Sequence, residues 1–212
     1  MGYKNWRTPH SHEDDIFVQL HEEFHFTLDA AASHANALLP RYCTEEGKFE
    51  RIVDYIPAIR KATPMQGVSK ISDHNGLDLR AWENERVFCN PPYDDLYPWC
   101  EIAKEGARTK VPVSVMLLPP SADTLWFHGL FTYHTSFEKV DTDFYTGFRT
   151  LDGFFEFRFW KNRVKFLVPK RKITLEIDGV QVTVPDESDP ESVEGGAPRA
   201  GNLVIVRRTL FL

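Results

Sequence analysis

At 212 residues the chain is long enough for one domain with a substantial core and short for two. Hydrophobic residues at 42% and charged residues at 26% are ordinary for a globular protein and exclude a disordered or fibrous chain. The net charge of −6 argues against a protein that coats nucleic acid indiscriminately.

In chain order, "DDIFVQLHEEF" (14–24) spaces Ile16, Phe17, Leu20 and Phe24 as one apolar helix face. "FHFTLDAAA" (24–32) then reads as a buried strand meeting a tight loop of small residues. "SHANALLPRY" (33–42) is too short for a crossover helix and is closed by Pro40. Residues 44–74 are polar and irregular at both ends, with a helical patch around "FERIVDYIPAIRKA", and are expected to be an insertion or lid.

"RVFCNPP" (86–92) is a second buried strand, "PWCEIAKEGAR" (98–108) a helix with Pro98 in its first turn, and "VPVSVMLLPP" (111–120) a third strand. Strand, helix, strand implies a parallel crossover in an α/β sheet. Downstream, "FFEFRFW" (154–160) and "VKFLVP" (164–169) alternate as strands, and "ITLEIDGVQVTV" (173–184) is a hairpin turning at Asp178-Gly179. Residues 185–202 read as a flexible loop, and "LVIVRRTLFL" (203–212) as a closing strand. The expected fold class is α/β in a single domain over 1–212: a mostly parallel, Rossmann-like sheet finished by an antiparallel C-terminal β part.

Parallel α/β sheets bind ligands beyond the carboxyl ends of their strands. Two segments fit: Asp29 with Ala30–Ala32, and Asn90–Tyr93. No GxGxxG or Walker lysine is present, so a ligand at Asp29 is expected to carry no phosphates. In Asn90-Pro91-Pro92-Tyr93, the amide offers an acceptor, a proline without an N–H leaves nearby carbonyls free to turn outward, and the tyrosine ring offers a face for stacking. These groups suit a flat ring bearing an amino group.

Cys43, Cys89 and Cys100 form no CxxC pair and fit a reduced intracellular protein, with Cys89 a buried strand residue rather than a nucleophile. No metal-ligand spacing, signal core or membrane-length apolar run is visible, so no metal, no membrane and a cytoplasmic location are expected. Between Arg158 and Lys172 the chain carries seven cations and no acid: Arg158, Lys161, Arg163, Lys165, Lys170, Arg171 and Lys172. Such a stripe can hold a phosphate backbone, although strand cations are also commonly just the solvated face.

"NPPY" matches the (D/N)PP(Y/F) signature of S-adenosylmethionine-dependent amino-methyltransferases. The ordered set "WRTP" (6–9), "FTLDAAA" (26–32), "NALLPRY" (36–42), "NGLDLRAW" (75–82), "VFCNPPY" (87–93) and "LLPPSADTLWFH" (117–128) resembles the phage-type (Dam-like) DNA N6-adenine methyltransferases over roughly residues 5–128. "FEFRFWKNRVKF" (155–166) and "APRAGNLVIV" (197–206) are weaker echoes. The resemblance implies a class I methyltransferase fold, S-adenosylmethionine as cofactor, and DNA as partner, with its target adenine flipped out of the duplex.

It implies that Trp6, Thr8 and Pro9 line the methionine end of the cofactor, with Asp29 and Ala30 in the first-strand motif beside it and Asn75 or Asp78 near the adenosine. Asn75 stands where the family commonly has an acid. Asn90 and the Pro91 carbonyl would accept from adenine N6, and Tyr93 would stack on the base. Asp123, Thr124, Trp126 and His128 match a family segment of unassigned duty. The same tetrad also serves cytosine-N4, RNA-adenine and protein-glutamine methylation. A catalytically inactive nucleic-acid-binding domain is the reading from another class.

Overall fold

A computed structural model describes residues 8–9, 16–34, 37–51, 67–121, 123–130, 136–161, 166–168, 171–177, 179–186, 193–195 and 203–209. The chain begins with β1 (Thr8–Pro9) and α1 (Ile16–Phe24), which buries the anticipated stripe of Ile16, Phe17, Leu20 and Phe24. His25 ends that helix in the left-handed region (φ 49°), its N–H bonded to the His21 carbonyl at 2.8 Å. There follow β2 (Leu28–Asp29), β3 (Arg41–Cys43), β4 (Lys48–Arg51), β5 (Val68–Ser72) and β6 (Arg86–Cys89). Then come α2 (Tyr97–Gly106), β7 (Val113–Leu118) and α3 (Leu125–Leu130). The remainder is strand: β8 (Phe137–Asp141), β9 (Tyr145–Thr150), β10 (Phe155–Trp160), β11 (Phe166–Val168), β12 (Arg171–Ile177), β13 (Val180–Asp186), β14 (Val193–Gly195) and β15 (Leu203–Arg208).

Among the described residues these strands make a twelve-stranded mixed sheet, in the order β13-β12-β5-β4-β3-β2-β6-β7-β15-β10-β9-β8, and a small sheet β1-β11-β14. The centre, β3-β2-β6-β7, is parallel. β15 enters antiparallel between β7 and β10.

The strand interior explains this plan. Every residue of β7 is buried, and its side chains alternate between two cores. Met116 and Leu118, with Leu203 and Ile205 of β15, join Trp99 and Ala103 of α2 on one face. Val113, Val115 and Leu117, with Val204 and Val206, join the apolar stripe of α1 on the other. A strand covered on both faces reads as a continuous apolar run, which is why β7 is so plain in the sequence.

Three expectations need correction. The sheet is mixed rather than mostly parallel: among the described residues seven of its eleven pairings are antiparallel. The loops joining β3 to β4, β8 to β9 and β9 to β10 are too short for a parallel crossover. The flanks of 44–74 are ordered β4 and β5, which extend the sheet beyond β3, and Phe49–Arg51 are strand rather than helix; residues 52–66 lie outside the described set. The 185–202 stretch is not all loop, because β13 runs to Asp186 and β14 pairs with β11. The hairpin holds: Ile177 pairs with Val180, and Gly179 takes φ 79°, with Asp178 outside the described residues. No helix among the described residues is long and apolar enough to cross a membrane.

Candidate active site

From β2 the chain steps to β3 on one side, whereas β6 and then β7 follow on the other. The strand order therefore reverses between β2 and β6, where open parallel sheets leave a crevice at their carboxyl ends. Asp29 pairs with Phe88, and Cys89 with Met116, so the residues just past these pairs share one edge. They are Ala30–Ala32 after β2, Asn90–Tyr93 after β6, and Pro119-Pro120 after β7. Three motifs far apart in sequence thus stand side by side.

The tetrad ends β6 because neither proline can extend the ladder. Asn90, Pro92 and Tyr93 are half-buried and Pro91 is buried. The Tyr93 hydroxyl donates to Asn90 Oδ1 at 3.3 Å, a long bond. Burial, with a smaller contribution from Cys89, pushes the Tyr93 hydroxyl above its ordinary value, so it stays protonated and a donor. Cys89 is wholly buried and its thiol is likewise pushed up, chiefly by burial, which leaves it no thiolate for nucleophilic work.

Asp29 is 2% exposed and accepts from the Leu38 N–H at 3.0 Å through Oδ2, tying the 33–40 segment to the end of β2. Ala30 continues the ladder through its N–H to the Phe88 carbonyl at 2.8 Å. Against it lies the loop after β5. Gly76 sits so close that a Cβ there would fall 1.9 Å from the Ala30 carbonyl oxygen and 2.8 Å from the Trp99 indole. The Trp82 indole N–H holds the Gly76 carbonyl at 3.0 Å. Gly76 was not singled out by the sequence, where Asn-Gly reads only as a common turn.

In that loop Asn75 Oδ1 accepts from the Leu77 N–H at 2.9 Å, so its side chain shapes its own turn. Asp78 accepts from Arg80 and faces His74 Nδ1 at 2.8 Å; the Arg80 hydrogen bonds hold its carboxyl down at about 2. Burial pushes the Cys43 thiol up to about 12; Lys48 opposes that shift, and the negative charges of Asp29, Glu85 and Asp78 add to it. Two of these carboxylates are already paired: Glu85 with Arg41 and Lys48 at 2.8 and 2.9 Å, and Asp78 with Arg80 and His74 at 2.7 and 2.8 Å. Among the described residues no group of three or more His, Cys, Asp or Glu could hold a metal ion.

Past β7, Thr124 Oγ1 donates to the Ser121 carbonyl at 2.7 Å and opens α3. Trp126 packs partly into the core, while Asp123 and His128 are exposed. Thr8 and Pro9 form β1, and their pairing is to Leu167 and Phe166 of β11 rather than to the β2–β6 edge. Trp6 lies outside the described residues.

The basic stripe does not survive as a unit. Arg158 is 2% exposed and engages two acids: Nε and Nη2 reach Glu156 at 2.7 and 3.1 Å, and Nη1 and Nη2 reach Glu23 at 2.6 Å each. Burial opposes its charge, but these bonds outweigh that and hold its pKa above the ordinary arginine value. A phosphate contact for Arg158 is thereby corrected to an internal ion cluster. Lys161 is exposed, pairs with Asp141 at 3.0 Å and donates to the Thr142 carbonyl. Arg171 and Lys172 lie in β12 beside β13, and Arg163, Lys165 and Lys170 fall outside the described residues.

The chain matches no protein-family model, no curated protein and no solved structure. Its own geometry carries a first test. Gly76→Ala is expected to lower stability by about 1–3 kcal/mol, because the Ala30 carbonyl is fixed in the sheet and cannot give way. Chemical denaturation would measure this, and an unchanged midpoint would show that the loop is free to move off β2.

Proposed function

We propose that the chain is an S-adenosylmethionine-dependent methyltransferase acting on the N6 amino group of adenine in DNA. One observation carries this reading: the Asn90–Tyr93 tetrad stands at the crevice where the strand order reverses, beside the end of β2. A parallel sheet centre continued by antiparallel strands accords with the Rossmann-like class I fold that the motifs imply. The cofactor's cationic ammonium and sulfonium groups suit the end of β2, where the Asp29 carboxylate and Ala30 stand, rather than Asp78, whose carboxylate is engaged by Arg80 and His74.

Bound S-adenosylmethionine would supply an electrophilic methyl group, and the electron pair of the broken carbon–sulfur bond would stay on its sulfur as a neutral thioether. The protein's part is positioning and charge. Asn90 Oδ1 and the Pro91 carbonyl take the two N–H bonds of the target amine. Accepting both protons draws nitrogen toward a pyramidal geometry and aims its lone pair at the methyl, while the Tyr93 ring covers the base. As the new bond forms, positive charge develops on nitrogen, and the two acceptors stabilise it. The excess proton leaves by solvent. A base paired in duplex could not reach this edge, so it must be flipped out.

Tritium-methyl transfer offered to DNA, RNA and protein tests the substrate class, and mapping of modified bases in random-sequence DNA tests the atom and site. Label in DNA at adenine N6 is the expected result. Label confined to RNA, to protein or to cytosine would reassign the substrate while leaving the tetrad in its role. No label with any substrate, together with no heat of S-adenosylmethionine binding, would overturn the reading.

A further inference from the structure

At the far side of the same sheet edge lies a run of flat groups that the proposed chemistry does not use. The Arg158 guanidinium lies 4.5 Å from the Tyr145 ring centre. Tyr145 stacks on Trp160 at 5.7 Å and 20°. Trp160 in turn stacks on Phe144 at 6.4 Å and 20°. The series runs from a buried arginine, through two half-buried rings, to Phe144, which is 50% exposed.

Strand register fixes where it stands. Phe159 pairs with Leu203, Leu203 with Leu118, and Met116 with Cys89, so Trp160 projects past the same edge as Asn90 and Pro119. Trp160 pairs with Tyr145, which puts the β8–β9 turn on that edge too. From β6 to β9 is four strand spacings, about 19 Å at ~4.8 Å each. That is roughly half a turn of duplex.

The turn is held firmly. Thr142 N–H bonds the Tyr145 carbonyl at 2.9 Å, Phe144 N–H bonds Thr142 Oγ1 at 3.3 Å, and Lys161 N–H bonds the Phe144 carbonyl at 2.9 Å. Its charges balance in number, Asp141 and Asp143 against Lys139 and Lys161, and Asp141 lies 3.8 and 3.0 Å from the two ammonium groups. A charge-neutral site that presents a pre-ordered ring attracts a flat partner by stacking rather than by phosphate attraction.

We propose that Phe144, backed by Trp160 and Tyr145, is a stacking platform for an unpaired base of the nucleic-acid substrate, a few nucleotides from the flipped target. The proposal rests on the nucleic-acid reading above, and the test separates the two. Binding of a short fluorescein-labelled oligodeoxynucleotide, single-stranded or carrying a mismatch, is measured by anisotropy with the full chain.

Phe144→Ala is expected to weaken binding about ten-fold, with Phe144→Tyr restoring it. The deficit should persist at high salt, since stacking releases no counterions. Leu151→Ala is the control: Leu151 is 71% exposed but lies in the β9–β10 turn at the opposite edge, and its loss should change nothing. If the wild-type chain binds no oligonucleotide, the nucleic-acid reading and the platform fall together. If it binds but Phe144→Ala binds as tightly, or Leu151→Ala is equally weakened, the platform alone is overturned.

Discussion

Asn90→Ala is expected to lower the single-turnover rate of methyl transfer by about 10²–10³-fold, the usual loss when one fixed polar contact to developing charge is removed. Affinity for S-adenosylmethionine, measured by calorimetry, should stay within about two-fold, because the contact is to the target amine. The substitution removes the acceptor of the Tyr93 hydroxyl, at a stability cost of about 1 kcal/mol, too little to unfold the chain. Asn90→Asp keeps an acceptor oxygen at the same place and should retain part of the rate. Two outcomes count against the assignment. Loss of cofactor binding along with transfer would move Asn90 into the cofactor site. A wild-type rate would reduce the tetrad to a chain-ending turn.

Arg158→Ala should lower stability by about 3 kcal/mol, the low end for breaking a buried pair, since Glu156, 1% exposed, keeps only Arg208 at 3.7 Å and the Tyr145 hydroxyl at 3.3 Å. Arg158→Lys is expected to rescue little of this, because an ammonium cannot bridge Glu23 and Glu156 with a planar fork. The pH dependence gives a second readout. Burial would raise the Glu156 pKa, but the Arg158 hydrogen bonds and charge win and hold it below the ordinary value. A folded-state pKa lower than the unfolded one contributes stability that is present above the unfolded value and lost as pH falls through the folded one. The gap between wild type and Arg158→Ala should therefore be full at neutral pH and narrow on acidification below about 4.3. Denaturation midpoints across that range would check it. If stability instead holds and the salt dependence of DNA binding shrinks by about one phosphate contact, Arg158 faces DNA after all.

The two residues mark how far reading along the chain reaches. β6 halting at Asn90-Pro91-Pro92 was legible, because the absence of a proline N–H is a property of the residue itself. So were α1, α2 and β7, whose apolar spacing records a face or two faces buried, and the β12–β13 hairpin, whose turn needs a residue tolerant of positive φ. Arg158 was not. Its neighbours in sequence are cations and aromatics, and the acid that captures it, Glu23, is 135 residues away. Gly76 against Ala30 and the stacking of Phe144 on Trp160 are likewise contacts between separate elements, with no local pattern to announce them.

What the sequence determined by itself is therefore local: that α1, β6, α2, β7 and the β12–β13 hairpin form, where β6 stops, and which motifs carry acceptors, rings and no phosphate cradle. The tertiary structure alone decided that the sheet is mixed, that β2, β6 and β7 bring their motifs to one edge, and that the leading cation of the basic stripe is internal. The physical reason is the same in each case. Strand order and ion pairing depend on partners distant along the chain, and a residue's charge or ring has no role until folding sets what faces it.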